Sequence, residues 1–363
     1  MTLRKYFLSI LGCSLISVLS SQAQAALPRI GIDLSTQNEA RFYDEGYYLQ
    51  HKLNEKGFTV DLLYAGDGEL STQKDQIRRL INAGCKILLI GAVDARALDE
   101  ELAFAKTRGI TVIAYDRLLM DTENVDYCVS FNNESSGYLI ADYFERKLNL
   151  RLHGENNPLY IEIFAGSPDD KSAQFFWDGA MAVMDPFISP MHSVEVKSGE
   201  ITFDACQIEG WDSYKALQRM ERLIKEQNYR PGGQQLDAIL SPSDSISQGI
   251  ALALDAAGFS PENYPIITGQ NCEPLSINNM LKGKQAMSIF KDGRQLADAA
   301  VQMINEIANG KEVNITNTYS YDNGKKIVPA VEIETQMVDL DNYIEILVDS
   351  GYMTKEEIAN PYH

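Results

Sequence analysis

The sequence is poor in the residues and runs that identify several classes of protein. It has only 4 histidines, 2 tryptophans and 5 cysteines among 363 residues, and no apolar run reaches the roughly 18 to 20 residues that a membrane-spanning helix needs. Basic residues are outnumbered, because 32 Lys and Arg stand against 51 Asp and Glu and leave a net charge of −19. The electrostatic field of a protein with this negative charge repels nucleic acid. We therefore expect neither a membrane span nor a nucleic-acid partner.

The motifs of common enzymes are missing as well. No GxxxxGK[ST] or GxGxxG loop is present to cradle phosphates, and no GxSxG turn presents a nucleophilic serine. The four histidines are too scattered for a metal site. Adjacent Asp169 and Asp170 could in principle act in glycoside hydrolysis, but such pairs are common in turns. We expect a protein that is not an enzyme and that uses no cofactor and no metal.

The first 25 residues have the pattern of a secretory signal peptide. A basic start precedes an apolar stretch over residues 6–19, and a small-x-small cleavage site runs from Ala23 to Ala25. We expect cleavage after Ala25 and a periplasmic protein. Two alternatives are a buried N-terminal helix and a lipoprotein attached at Cys13. The lipoprotein fits less well, since its apolar region would be very short.

Export would leave the remaining cysteines in an oxidising compartment, where a disulfide is allowed but not required. Cys85 and Cys128 fall within apolar, strand-like runs, where a cysteine is usually a small buried hydrophobe. If a disulfide forms, the least implausible pair is Cys206 and Cys272. The sequence does not decide whether it forms.

A repeated order of amphipathic helix, glycine and β-branched strand organises the chain. Helical stretches end at Gly57, Gly84 and Gly109, and each is followed by an apolar strand such as 86–90. Glycine suits the left-handed position that closes a helix, and continuous apolar strands belong to a parallel sheet covered on both faces. A second set of the same kind begins near Leu159. The pattern predicts an α/β fold with two doubly wound, Rossmann-like lobes.

Polar side chains follow the strands of both sets. Ligands of open α/β sheets bind at the carboxyl ends of the strands, and Asp, Asn and Arg there can bond vicinal hydroxyls of a sugar. Trp177 and Trp211 offer aromatic faces for the apolar side of a sugar ring. Asp and Ser at these places are also ordinary helix N-caps, an alternative that applies to Ser35, Asp169 and Asp244.

Seven short motifs, in order along the chain, resemble those of type I periplasmic monosaccharide-binding proteins, above all the xylose-binding and multiple-aldose-binding proteins. They are Ile30-Gly31-Ile32 with Arg41-Phe42, Val112 to Arg117, Phe131-Asn132-Asn133, Gly166 to Asp170, Leu240 to Asp244, Gly269-Gln270-Asn271 and Ile289 to Asp292. The likeness runs from about Pro28 to Tyr352.

The resemblance implies two lobes that are joined by a three-segment hinge and close on a sugar. The crossovers are expected near Asn132, Gly269 and Thr316. The first lobe would then comprise residues 26–132 and 270–315, and the second lobe residues 133–269 and 316–363.

The resemblance also implies which residues bind the sugar. From the first lobe these are Arg41, Phe42, Asp116, Arg117 and Lys291. From the second lobe and the hinge they are Asp170, Ser172, Trp211, Ser243 and Asn271. Further candidates are Gln37, Asn132, Lys171, Lys215 and Asp244. Phe42 and Trp211 would lie against the sugar faces, whereas Trp177 is expected in the core.

Departures from the family pattern leave the identity of the sugar open. Asn271 stands where the relatives usually carry Asp, and Ser172 and Ser243 stand at frequent Asn or larger residues. The shorter serines would admit a bulkier or substituted sugar, and the loss of acidic groups beside Lys171 and Lys215 would allow the site to tolerate a sugar acid. Alternatively, water fills the gaps and the ligand is a common aldose.

The family implies a monomeric binding protein that delivers its monosaccharide to the membrane subunits of an ABC importer. An alternative is a periplasmic sensor, in which the same closure signals to a chemoreceptor or a sensor kinase. A sugar-processing periplasmic enzyme is a more remote alternative.

Overall fold

The computed structural model describes residues 27–36, 40–66 and 68–361. The expected signal peptide, the alternative lipid attachment at Cys13 and the candidate ligand Gln37 lie outside these residues. Within the described part of the chain, no helix is both long enough and apolar enough to cross a membrane.

The first lobe is built on a six-stranded, all-parallel sheet with the strand order β11-β5-β4-β3-β1-β2. Its strands are β1 (Arg29–Leu34), β2 (Thr59–Tyr64), β3 (Ile87–Ile90), β4 (Thr111–Tyr115), β5 (Tyr127–Phe131) and β11 (Ala330–Ile333). All four residues of β3 are buried, as expected for a central strand covered on both faces. The order reverses between β1 and β3, the place where doubly wound sheets bind ligands.

Helices cover both faces of this sheet. They are α1 (Ala40–Glu55), α2 (Leu70–Asn82), α3 (Asp99–Thr107) and α10 (Gly293–Ala308). α1 and α10 pack with β1 on one face, whereas α2 and α3 pack with β3 and β4 on the other. Gly57 and Gly84, which follow α1 and α2, have φ of 87°. This left-handed conformation confirms the prediction that these glycines end the two helices.

The second lobe repeats the same winding around a parallel sheet with the order β7-β6-β8-β9. Its strands are β6 (Leu159–Ile163), β7 (Val194–Glu195), β8 (Ala238–Leu240) and β9 (Ile266–Ile267). Its helices are α4 (Asn133–Leu148), α5 (Lys171–Ile188), α6 (Phe203–Cys206), α7 (Ser213–Gln227), α8 (Asp244–Ala256), α9 (Pro274–Leu281) and α11 (Lys355–Ala359). α4 and α5 cover one face, and α7 and α8 cover the other.

Two further strands extend the second lobe, β10 (Ser288–Phe290) and β12 (Gln336–Val338), which pair antiparallel. A bridge from Gln270 to Ile289 joins β10 to the segment that follows β9. Met287 and Ile289 share the hydrophobic cluster of α4 and α5. Residues 270–290 therefore belong with the second lobe, not with the first as expected.

The crossovers between the lobes lie at three places in the described chain. The first follows β5 at Asn132, as expected. The second lies between β10 and α10, at Lys291 and Asp292, and the third lies between β11 and β12, at 334–335. The crossovers expected near Gly269 and Thr316 are wrong, because β10 pairs in the second lobe and β11 joins β5 in the first.

The four cysteines of the described chain are free and buried. Cys206 and Cys272 belong to different hydrophobic clusters, the first beside α5 and the second beside α9. Trp177 lies in the core of the second lobe, as expected, with its ring edge-on to Phe203 at 5.8 Å between centroids.

Candidate ligand-binding cleft

A cavity of about 760 Å³ lies between the two lobes, at the carboxyl ends of both parallel sheets. All ten residues that the family resemblance assigns to the sugar border it. From the first lobe and the second crossover these are Arg41, Phe42, Asp116, Arg117 and Lys291, and from the second lobe they are Asp170, Ser172, Trp211, Ser243 and Asn271. The structure thus brings together side chains that are up to 250 residues apart in the sequence.

The first-lobe wall centres on Arg41, in the first turn of α1. Its Nε donates to Glu45 Oε1 at 2.6 Å, and its Nη2 lies 3.2 Å from Asp116 Oδ2. The hydroxyl of Tyr115 donates to the other oxygen of Glu45 at 2.7 Å. Burial raises the pKa of Glu45. Burial acts in the same direction on Asp116, but the charges of Arg41 and Lys291 outweigh it and lower the pKa of that carboxyl.

Lys291 brings a buried cation into the cleft from the second crossover. Its Nζ donates to Asn133 Oδ1 at 2.6 Å and lies 5.5 Å from the centre of the Phe131 ring. Burial lowers the pKa of Lys291 to about 8, against the opposing charge of Asp116. The hydrogen bond to Asn133 fixes the direction of the ammonium group. Because its pKa is lowered, the group loses its proton at a lower pH than an exposed lysine does.

The second-lobe wall is formed by Asp170 and Trp211. Asp170 caps α5 by accepting from Ser172 N at 2.9 Å, while its other oxygen accepts from Trp211 Nε1 at 3.3 Å. A side chain at Gly166 would overlap the Trp211 ring. The glycine therefore lets the indole pack against the backbone after β6, with its orientation fixed by Asp170.

One ion pair joins the two walls directly. Arg117 Nε lies 3.6 Å from Asp170 Oδ2. Asp170 thus faces the tryptophan of its own lobe and the arginine of the other. A ligand in the cleft would contact groups from both lobes.

Four non-glycine residues that border the cleft have positive φ: Asp116 (66°), Trp211 (56°), Asn271 (105°) and Cys272 (53°). Such conformations are costly for residues with a side chain and persist only where the surroundings hold them. Their concentration here is typical of a functional site.

The remaining candidates of the described chain do not border this cavity. Asn132 caps α4 and donates to Glu334 Oε1, and it borders a separate hollow of about 320 Å³. Lys171 lies against the ring of Phe175, and Lys215 pairs with Glu209. Their positions therefore give no support to the expectation that a sugar acid would be tolerated beside these two lysines.

Asp244 is fully buried behind the cleft wall and does not border the cavity. The suspected capping alternative fails for Asp244 and Asp169, because the caps of α8 and α5 are the cleft residues Ser243 and Asp170.

Several cleft residues were not assigned to the sugar, among them Glu45, Asn133, Gln270 and Tyr352. Asn133 and Gln270 lie in two of the seven motifs, whereas Glu45 and Tyr352 lie in none of them. Glu45 could have been found, since it lies one helical turn after Arg41 on the same face. Gln270 Oε1 is buried and has no hydrogen-bond partner among the described residues. It is therefore suited to accept from a ligand hydroxyl.

Two doubly wound lobes with a polar, aromatic-lined cleft between them define a two-lobed ligand-binding protein. The family model described as "periplasmic binding protein domain" matches residues 30–312. The chain belongs to this family, which is one of binding proteins. The resemblance drawn from the seven motifs, and the fold that it implied, are confirmed.

Similar proteins include several named for sugars. The multiple sugar-binding periplasmic protein SbpA of Azospirillum brasilense is 39% identical over 91% of both chains. The multiple sugar-binding periplasmic receptor ChvE of Rhizobium radiobacter is 38% identical over 91% of this chain and 92% of the relative. A solved ABC transporter solute-binding protein from Clostridium phytofermentans, with bound β-D-glucose, is 40% identical with a TM-score of 0.83, over 91% of this chain and 99% of that one.

Proposed function

We propose that the protein captures a monosaccharide in the cleft between its lobes and delivers it to an ABC sugar importer. The observation that carries the proposal is the convergence of all ten assigned residues on one cavity. The resemblance to a solute-binding protein with bound β-D-glucose supports the same function. Transport is the primary role, and signalling to a chemoreceptor or sensor kinase stays the alternative.

The contacts suit a sugar ring. Arg41, Asp116 and Asp170 offer paired donors and acceptors for vicinal hydroxyls. The indole of Trp211 offers an apolar face. Lys291 donates from the hinge side. Because each lobe supplies several of these groups, the sugar would stabilise a closed arrangement in which both lobes contact it.

The proposal is tested by a thermal-shift screen against D-glucose, D-xylose, D-galactose, L-arabinose, D-glucuronic acid and maltose. We expect a higher melting temperature with at least one neutral aldose, because a ligand that binds only the native state stabilises it by mass action. A shift with glucuronic acid alone would instead favour the sugar-acid alternative. No shift with any of the six would contradict the proposal.

Export is the second part of the proposal. We propose that the signal peptide is removed after Ala25 and that the protein acts as a monomer in the periplasm. N-terminal sequencing of protein recovered from the periplasmic fraction should begin at Ala26. A chain that retains Met1, or that carries lipid on Cys13, would contradict this part.

A further inference from the structure

The cleft wall contributed by residues 270–273 is held in an unusual backbone conformation. Asn271 and Cys272 have φ of 105° and 53°, and both border the cavity. Neither residue is a glycine, so contacts elsewhere in the protein must stabilise this conformation. The direction in which the Asn271 amide points depends on those contacts.

The contacts converge on Asp244, which lies behind the wall at the start of α8. Its Oδ2 accepts from the Glu273 backbone N–H at 2.9 Å, and its Oδ1 accepts from Gln285 Nε2 at 2.9 Å. The hydroxyl of Ser288 also donates to this carboxylate, at 2.9 and 3.1 Å from its two oxygens. Asp244 is 0% exposed. Both carboxyl oxygens therefore accept from groups of the protein, and neither is available to a ligand in the cleft.

Ser288 and the backbone of Asp244 extend these contacts along the segment. The Ser288 hydroxyl accepts from Cys272 N at 3.0 Å while it donates to Asp244. Asp244 N donates to the Gln270 carbonyl at 3.0 Å. The residues on both sides of Asn271 are thus tied, directly or through Ser288, to one buried aspartate.

The surroundings are shaped to admit this carboxylate. A side chain at Gly269 would overlap Asp244 Oδ1 and Gln285 Nε2. Only a glycine lets the chain pass so close to both groups. An N–H donor faces each oxygen, from the Glu273 backbone and from Gln285 Nε2, so an amide in place of Asp244 would set its NH2 group against one of them in either orientation.

We propose that Asp244 is a positioning residue of the ligand site: without touching the ligand, it fixes the backbone of residues 270–273 and hence the Asn271 amide at the cleft. The effect on sugar affinity rests on the function proposed above. The effect on the backbone does not, and it can be measured on the protein without ligand.

The first test is hydrogen exchange of the free protein, comparing wild type with Asp244→Asn and a matched control, Glu162→Gln. Glu162 is also a fully buried carboxylate of the second lobe, and it accepts from Tyr229, from the Ser198 hydroxyl and from the Ser198 backbone. We expect the amides of residues 271–273 to exchange at least tenfold faster in Asp244→Asn. In Glu162→Gln they should exchange as in wild type. Unchanged exchange in Asp244→Asn, or equal acceleration in both variants, overturns the proposal.

The second test is a double-mutant cycle of affinity, measured by calorimetry with D-glucose and D-xylose. We expect Asp244→Asn and Asn271→Ala each to weaken binding about tenfold, and the double variant to bind no more weakly than Asn271→Ala alone. Non-additivity of this kind shows that two residues act as a unit. Additive losses, or wild-type affinity in Asp244→Asn, overturn the proposal.

The two tests separate the two proposals. If wild type binds neither sugar while Asp244→Asn accelerates exchange at 271–273, the proposed function fails this test and the role of Asp244 in fixing the backbone stands. If wild type binds and exchange is unaffected, the positioning role fails and the proposed function stands.

Discussion

Arg117 Nε of the first lobe lies 3.6 Å from Asp170 Oδ2 of the second, so that one ion pair crosses the cleft. The same Asp170 oxygen accepts from Trp211 Nε1 at 3.3 Å. The pair therefore connects Arg117 of one lobe to the residue that orients the indole of the other lobe. A sugar that bonds to either charged group would therefore bind at a direct contact between the two lobes.

Substitution of Arg117 by Ala is expected to weaken binding of the preferred aldose about ten- to a hundredfold, because a hydrogen bond to a charged group contributes about 1.5–3 kcal/mol. Calorimetry at fixed pH and salt measures the change. The control is Arg96→Ala, which removes an exposed ion pair with Asp121 on the first lobe and should leave affinity unchanged. Equal affinity in Arg117→Ala and wild type would show that Arg117 does not contribute to ligand binding.

Substitutions of the two tryptophans should have different effects, one on ligand affinity and the other on the stability of the fold. Trp211→Ala removes an aromatic face from the cleft and is expected to reduce affinity by at least tenfold with little loss of stability. Trp177→Ala removes a buried core ring and is expected to lower the free energy of unfolding by about 3–5 kcal/mol. Urea unfolding and calorimetry on both variants provide the comparison. The reverse pattern would contradict the assignment of Trp211 to the ligand.

Affinity should depend on pH through Lys291, whose pKa burial lowers to about 8. If the ammonium group donates to the sugar, binding is strongest below pH 8 and weakens as the pH rises through 8 and the proton is lost. Lys291→Met should bind more weakly and show no such decline between pH 7 and 9. A wild-type affinity that stays constant over this range would exclude the donor role.

Asp33 gives a prediction about stability alone. It is buried at the end of β1, Gln73 Nε2 donates to its Oδ1 at 3.1 Å, and burial raises its pKa to about 8. Because the folded protein holds this proton more tightly than the unfolded chain, the contribution of Asp33 is fully present below about pH 4. It is lost as the pH rises to 8.

Asp33→Asn is therefore expected to raise the free energy of unfolding at pH 8 by about 1–3 kcal/mol, because the neutral amide avoids the cost of a buried carboxyl that loses its proton. Denaturant unfolding between pH 5 and 8 measures it. The control is Asp61→Asn, where hydrogen bonding to Arg29 lowers the carboxyl pKa and no gain is expected. A variant Asp33→Asn less stable than wild type at pH 8 would refute the prediction.

The sequence was sufficient for the fold class, because the class depends on local patterns that recur in a fixed order. The ten residues assigned to the sugar do border one cavity, whereas their contact with a sugar stays a prediction. The sequence was not sufficient for the second and third crossovers. Whether β10 and β11 pair in one lobe or the other depends on partners far along the chain, β12 and β5, and the apolar pattern of a short strand does not specify its neighbour.

Adjacent positions show a second limit. Ser172 borders the cavity, whereas Lys171 lies against Phe175. Successive residues of a helix point about 100° apart, so the capping of α5 by Asp170 decides which of the two faces the cleft. Tyr352 could not be anticipated for a different reason. It reaches the cleft from the C-terminal part of the second lobe, where it packs on Phe290.

The central claim is that the cleft binds a monosaccharide, and calorimetric titration of the purified protein with D-glucose and D-xylose tests it most directly. We expect one-to-one binding of at least one of these sugars, weakened in Arg117→Ala and in Trp211→Ala and unchanged in Arg96→Ala. An absence of binding to either sugar, or binding that both cleft variants leave intact, would contradict the claim.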